Sequence, residues 1–269
     1  MELQGSVTVV TGAGSGIGRA LAREFAAAGA SVVAGDLSPG GVEGTVDAIR
    51  SEGGAAVAVV ADAATTDGIT QLVDAARDGF GPVDVFVANA GIIGAPGLGD
   101  DEQDWDRIID VNLRAHIRAA KALVPEWVSR GRGHFVSVAS AAGLLTQVGA
   151  AGYSVTKHAA VGFAEWLSIT YGDNGIGVSC VCPMGVDTPL LTGITDSADP
   201  AARMAAAAVR NAGEVVGADQ VAALTVQAVR AGTFLVLPHP AVLDMYRQKG
   251  ADYDRWLAGM RRYQAGLAD

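Results

Sequence analysis

Short apolar runs alternate with longer amphipathic stretches along most of the chain. Ser6–Val10, Ser31–Gly35, Ala55–Ala61, Val83–Ala88, His134–Ala139 and Gly177–Val181 are rich in Val and Ala and nearly free of charge. Unbroken apolar runs of this length predict strands buried on both faces. Between them lie stretches with helical spacing: Arg19–Ala28, Gly40–Gly53, Thr66–Phe80, Asp101–Arg114 continuing to about Arg130, and Gly152–Gly172. Strand and helix in strict alternation predict an α/β fold, a parallel sheet covered by helices on both sides. No linker or shift in composition marks a second domain.

Composition narrows the partners. The chain has 269 residues, half of them hydrophobic, with a mean hydropathy of +0.30, enough for a large core. Its formal net charge is −10. An acidic protein is a poor match for a phosphate backbone or an anionic membrane, so neither nucleic acid nor membrane is expected as a partner. Cys180 and Cys182 are two apart in a strand-like run and lack redox-motif spacing, so they read as reduced core thiols. His116, His134, His158 and His239 show no metal-ligand spacing, and no metal is expected. No leader-like segment precedes the first strand, and no apolar run approaches membrane-spanning length. A cytoplasmic protein is the expectation.

The first strand leads directly into T-G-A-G-S-G-I-G, Thr11 to Gly18, and then into a helix. Strand, glycine-rich turn and helix form the setting in which a dinucleotide pyrophosphate can meet exposed backbone N–H groups. Gly12 permits the tight turn, Gly16 the approach of the cofactor, and Gly18 close packing of the helix; Gly14 is an additional glycine. The second strand ends at Asp36, where an acid can bond the adenosine ribose and repel a 2′-phosphate. Neither Ser15 nor Leu37 offers a compensating cation, and Arg19 in the first helix is a weaker candidate, so NAD is preferred to NADP. Asp62, after the third strand, either touches the adenine edge or caps the next helix.

Candidate chemistry concentrates between Ser140 and Lys157. Tyr153 and Lys157 are four residues apart, one turn on one helix face, and Ser140 follows a predicted strand. A tyrosine of pKa about 10 is phenolate in roughly one molecule in a thousand at neutral pH. A nearby ammonium favours the phenolate, and reaching a pKa of roughly 7 needs about 4 kcal/mol. Such a tyrosine can take a proton from an alcohol or return one to a carbonyl, while a serine hydroxyl holds the substrate oxygen. Asn112 lies within a helical pattern, where Asn acts as a cap, a solvent-facing residue or a kink filler.

These motifs in this order, with N-A-G at Asn89–Gly91 and P-M-G-V-D-T at Pro183–Thr188, resemble the short-chain dehydrogenase/reductase family in its shorter, single-domain branch. The resemblance covers about Leu3 to Leu237. It implies a doubly wound Rossmann sheet of about seven parallel strands. One catalytic domain would span 1–237, with a substrate lid at about 188–216, and 238–269 would be a helical extension. It implies Tyr153 as acid/base, Ser140 positioning the substrate oxygen, Lys157 depressing the tyrosine pKa and binding the nicotinamide ribose, and Asn112 holding a relay water. NAD would be surrounded by Gly12, Ser15, Gly16, Ile17, Gly18, Asp36, Leu37, Asp62, Ala63, Asn89, Ala90 and Gly91, with Pro183, Gly185, Val186 and Thr188 at its nicotinamide end. A homotetramer or homodimer, paired through the helices carrying Asn112 and Tyr153, is implied as well.

The chain departs from the family pattern in three places. Ala88 replaces the first Asn of N-N-A-G, Met184 replaces the Gly of P-G, and 32 residues follow Leu237. Met184 is expected to shape the pocket. The loop from Ala141 to Ala151, rich in Gly and Ala, is expected to leave space beside Tyr153, with Gln147 as its one amide facing substrate. Leu190, Leu191, Ile194 and Met204 make the lid apolar, which suits a hydrophobic alcohol or ketone or equally ordinary packing. The aromatic tail is expected either over an active site or docked far from it. The expected activity is hydride transfer between NAD(H) and a secondary alcohol or its ketone. A non-catalytic NAD-binding regulator and an extended-branch epimerase or dehydratase are the alternatives.

Overall fold

The computed structural model describes residues 1–99 and 101–267. The first half runs β1 (Val7–Thr11), α1 (Gly16–Ala27), β2 (Ser31–Asp36), α2 (Pro39–Ser51), β3 (Ala56–Val60), α3 (Thr66–Gly79) and β4 (Val85–Ala88). There follow α4 (Glu102–Ile109), one π turn (Asp110–Arg114), α5 (Ala115–Arg130) and β5 (Gly133–Val138). The chain continues as α6 (Ala142–Leu145), α7 (Ala151–Tyr171) and β6 (Ile176–Val181). It then forms α8 (Pro189–Thr195), α9 (Pro200–Asn211), α10 (Ala218–Ala231), β7 (Leu235–Val236), α11 (Ala241–Ala251) and α12 (Tyr253–Ala265).

All seven strands pair in parallel, in the order β3-β2-β1-β4-β5-β6-β7. The connections go outward from β1 in one direction to β3, then return past it to β4. That reversal opens a crevice beyond the strand C-termini between β1 and β4, the place where open α/β sheets bind ligands. The doubly wound Rossmann-type sheet is the fold expected from the sequence. β1, β4 and β5 are buried throughout, which is why they read as apolar runs without alternation. One face of the sheet packs Leu72, Phe86, Trp127 and Phe135 with α3, α5 and α7. The other packs Leu21, Phe25, Ile49 and Val221 with α1, α2 and α10.

The structure differs from the sequence expectation in three informative places. α1 starts at Gly16, three residues early, because the end of the glycine turn is already the first helical turn. The helix expected to run on from Asp101 is interrupted by the π turn, in which Ala115 N–H reaches back to Asp110 C=O. Asn112 within it is fully buried and so is neither a cap nor solvent-facing. The loop expected to leave space beside Tyr153 instead contains the buried helix α6. A Cβ on Gly143 would lie 2.5 Å from the Lys157 carbonyl oxygen, so its small residues serve close packing of α6 on α7.

The segment 188–216 contains α8 and α9, and 238–267 contains α11 and α12. The last two positions of the expected extension, 268 and 269, lie outside the described residues. Among the described residues, no helix is long and apolar enough to cross a membrane.

Candidate active site

A cavity of about 620 Å³ opens at the crevice. Every cofactor-facing residue picked from the sequence borders it, from Gly12, Ser15 and Asp36 through Asp62, Asn89 and Gly91 to Tyr153, Lys157 and Thr188. Ser140 and Met184 border it too. Asn112 and Gln147 do not.

The glycine turn is pressed against the end of β4. Gly12 and Gly16 are left-handed, with φ of 65° and 49°. A Cβ on Gly18 would collide with the Gly12 carbonyl oxygen and lie 2.5 Å from Asn89 Nδ2. Asn89 Nδ2 donates to Thr11 C=O at 2.8 Å, and Thr11 Oγ1 accepts from the N–H groups of Asn89 and Ala90 at 3.0 Å. Ser15 is the N-cap of α1, yet its hydroxyl caps no amide, so the first-turn N–H groups stay open to the cavity. Open donors at the positive end of a helix, behind a glycine-rich turn, fit a pyrophosphate.

Asp36 does more than end a strand. Its Oδ2 accepts from Gly14 N–H at 2.8 Å and its Oδ1 from Ser38 N–H at 2.9 Å. A Cβ on Gly14 would sit 2.8 Å from this carboxylate, so the additional glycine is what lets Asp36 close on the turn. Arg19 donates to Gly14 C=O and, at 3.2 Å, to Thr45 Oγ1, and does not border the cavity. Asp62 Oδ1 accepts from Ala64 N–H at 2.9 Å, while Thr65, not Asp62, caps α3.

α7 presents Tyr153 and Lys157 one turn apart, and β5 delivers Ser140. Lys157 Nζ donates to Val138 C=O at 3.0 Å and lies 5.5 Å from the Tyr153 ring centre. Ser140 Oγ accepts from Ala142 N–H at 3.1 Å and donates weakly to Pro183 C=O at 3.4 Å. Burial pushes the Tyr153 hydroxyl above its usual pKa, more than its hydrogen bond with Ser140 pulls it down. The expected depression of Tyr153 by Lys157 is therefore corrected: desolvation dominates, and the ammonium is turned onto Val138. Burial also pulls Lys157 down to about 8. This depressed value gives a stability prediction. The unfolded chain holds the Lys157 proton more tightly, so folding stability rises as pH climbs from about 8 to 10.5. Relative to Lys157→Met, wild-type stability should rise by about 3 kcal/mol between pH 7 and pH 10.5, at 1.36 kcal/mol per unit. Urea unfolding of both proteins checks this, and parallel pH curves would contradict it.

Both ends of the Asn112 side chain are hydrogen-bonded. Oδ1 accepts from Ile92 N–H at 2.9 Å, and Nδ2 donates to Ile92 C=O at 2.9 Å and to Thr156 Oγ1 at 3.2 Å. The side chain ties the segment following β4 to α7. Gln147 is also corrected: its Nε2 donates to Val148 and Ala205 C=O, both at 3.2 Å, bridging to α9 instead of facing substrate.

Three residues of the tail had no signal in the sequence because their partners are remote. His239, just beyond β7, accepts from Met184 N–H at 3.2 Å. Lys249 on α11 is buried and donates to Leu144 C=O at 2.6 Å, with His158 Nε2 of α7 at 3.4 Å. Tyr263 on α12 donates to Ala208 C=O of α9 at 3.0 Å. No described residue of 238–267 borders the cavity, so the tail braces its walls from behind.

A family model described as short chain dehydrogenase matches residues 6–199. The chain is similar to the 1-deoxy-11-beta-hydroxypentalenate dehydrogenase of Streptomyces avermitilis, 36% identical over 198 residues, 72% of this chain and 73% of that one. It is similar to the cyclohexanol dehydrogenase of an Acinetobacter species, 34% identical over 192 residues, 71% of this chain and 76% of that one. A crystal structure of a short chain dehydrogenase/reductase from Burkholderia phymatum in complex with NAD matches with a TM-score of 0.85 and 33% identity, covering 94% of this chain and 96% of that one.

Proposed function

The chain belongs to the short-chain dehydrogenase family, and from that membership we propose that it moves hydride between NAD(H) and a hydrophobic secondary alcohol or its ketone, with Tyr153 as acid/base. The observation that carries this reading is the meeting of Ser140, Tyr153 and Lys157 in one cavity with the glycine turn and Asp36. Bound there, a nicotinamide ring supplies the hydride acceptor or donor. The chain's own residues manage the proton. Tyr153 takes it from the alcohol hydroxyl during oxidation and returns it to the carbonyl oxygen during reduction. Ser140 Oγ is held by Ala142 N–H, and its long bond to Pro183 is easily exchanged for one to a substrate oxygen. Lys157 spends one N–H on Val138 and has two more for a ribose.

Relatives named for a hydroxypentalenate and for cyclohexanol support an alicyclic alcohol. So does the apolar wall of Ile92, Ile93, Met184, Leu190, Leu191 and Ile194. The test is NADH formation at 340 nm across a panel of such alcohols.

Asp36 decides the cofactor. Its carboxylate borders the cavity, and Arg19 is engaged elsewhere, so a 2′-phosphate meets a like charge. NADP is expected to have a KM at least about tenfold that of NAD, a difference of about 1.4 kcal/mol. Asp36→Ser should bring the ratio close to one. Equal KM values in the wild type would remove the assignment.

Assembly is read from α7, whose outward face leaves Trp166 52% and Ile169 84% exposed. Apolar residues this open on the helix expected to pair support a homodimer or homotetramer. A single-chain mass by light scattering at micromolar concentration would contradict it.

A further inference from the structure

One peptide plane lies between Ser140 and the C-terminal extension. Its carbonyl, that of Pro183, accepts from Ala141 N–H at 2.8 Å and from Ser140 Oγ at 3.4 Å. Its N–H, that of Met184, donates to His239 Nδ1 at 3.2 Å. Because Nδ1 accepts, the ring proton sits on Nε2, which donates to Glu214 C=O at 3.1 Å. His239 itself is 6% exposed, and both of its ring nitrogens are bonded to the backbone. Beside it, Val216 N–H donates to Gly185 C=O at 3.0 Å and Asp187 N–H to Val216 C=O at 2.9 Å. The imidazole therefore completes a seam that fastens the loop after β6 to the end of the segment following α9.

We propose that His239 is a positioning residue, acting through the Pro183–Met184 peptide to orient Ser140 and the Met184 side chain in the cavity. His239 does not border the cavity and touches no reacting atom. The inference rests on the role given to Ser140 above. Without the Nδ1 acceptor, a part-buried Met184 N–H loses its partner, and rotation of the plane toward another partner relieves it. The same rotation carries the Pro183 carbonyl away from Ser140 and Ala141. Displacements on the scale of 1 Å at a reacting centre lower rates by as much as about a hundredfold.

Two conservative variants separate the imidazole's two bonds. In His239→Asn the Oδ1 atom takes the place of Nδ1 and keeps the acceptor for Met184. In His239→Gln the Nε2 atom keeps the donor to Glu214 but leaves Met184 unpaired. With a secondary alcohol, kcat should fall by about tenfold or more in His239→Gln and His239→Leu, yet stay within about threefold of wild type in His239→Asn. NAD affinity should fall less than kcat in each of them, since the glycine turn is untouched and only the nicotinamide end adjoins the Pro183–Met184 plane. Equal losses in the Asn and Gln variants, or a wild-type kcat in His239→Leu, would overturn the proposal. Backbone amide exchange at Met184 reads the link without turnover: slow in wild type and His239→Asn, at least about tenfold faster in the other two. Uniform exchange would overturn it as well. A wild type that turns over no alcohol or ketone would strike the reading of Ser140, while the exchange rates still judge the link itself.

Discussion

Tyr153→Phe should lower kcat/KM for a secondary alcohol by about a thousandfold, with NAD affinity changed by less than about twofold. The substitution removes one oxygen from a half-buried ring and leaves its packing on α7 in place. On the proposed mechanism, what disappears is the group that exchanges a proton with the substrate oxygen, and general acid–base catalysis typically contributes 10²–10⁴-fold. Ser140 remains bonded to Ala142 N–H and cannot take over, because its hydroxyl is far too weak an acid and has no adjacent base. The direction of the Tyr153 shift adds a pH signature. Burial holds its pKa above 10, so the phenol is the form present at neutral pH. Carbonyl reduction, which needs that proton, should proceed well at pH 7. Alcohol oxidation, which needs the phenolate, should accelerate steadily as pH rises from 7. Steady-state kinetics in both directions, with NAD affinity from NADH fluorescence competition, check these expectations; a variant retaining a tenth of wild-type activity would contradict them.

Gly18→Ala should be the most damaging single-atom addition in the cavity wall. The new Cβ meets the Gly12 carbonyl oxygen and the Asn89 amide, two groups held in turn by β1 and β4. Neither is the free end of a flexible side chain, so α1 must move away from the turn. Overpacking of this kind costs about 1–3 kcal/mol, occasionally more. At roughly 2–4 °C per kcal/mol for a chain of this size, a loss of about 3 kcal/mol lowers Tm by about 6–12 °C. Movement of α1 also withdraws its open N–H groups from the pyrophosphate, and NAD affinity should fall by about a hundredfold. Gly44→Ala, an exposed helical site with nothing within 4 Å of the new Cβ, serves as the control and should raise stability by about 0.5–1 kcal/mol without changing NAD affinity. Thermal melts and NAD titrations of both variants decide the matter, and equal behaviour would contradict the steric argument.

The centre of the sheet was legible because β1, β4 and β5 are buried on both faces, so Val7–Thr11 and Gly133–Val138 stand out as runs nearly free of charge. The edge strand β3 instead alternates with exposed positions. Asp36 was legible because it ends such a run at the right distance from the glycines. What escaped the sequence depends on remote partners or on burial. The π turn around Asn112 exists because that side chain is drawn onto the backbone of Ile92, twenty residues away. Gly14 looked superfluous until the Asp36 carboxylate was seen closing on it. Gln147 turned away from the cavity because α9 offers it a carbonyl. The direction of the Tyr153 shift reflects desolvation, which spacing on a helix does not reveal. His239 and Lys249 are tied to residues 55 and 105 positions away, beyond any local pattern.

The most direct test of the account is absorbance at 340 nm with wild-type protein, NAD and a panel of alicyclic secondary alcohols, with the ketone product assayed in parallel. The account predicts NADH and ketone in equal amounts with at least one such alcohol, and much slower formation with NADP. Tight NAD binding without NADH from any alcohol, and without NADH consumption by any of the corresponding ketones, would contradict it and favour a cofactor-binding protein that performs no hydride transfer.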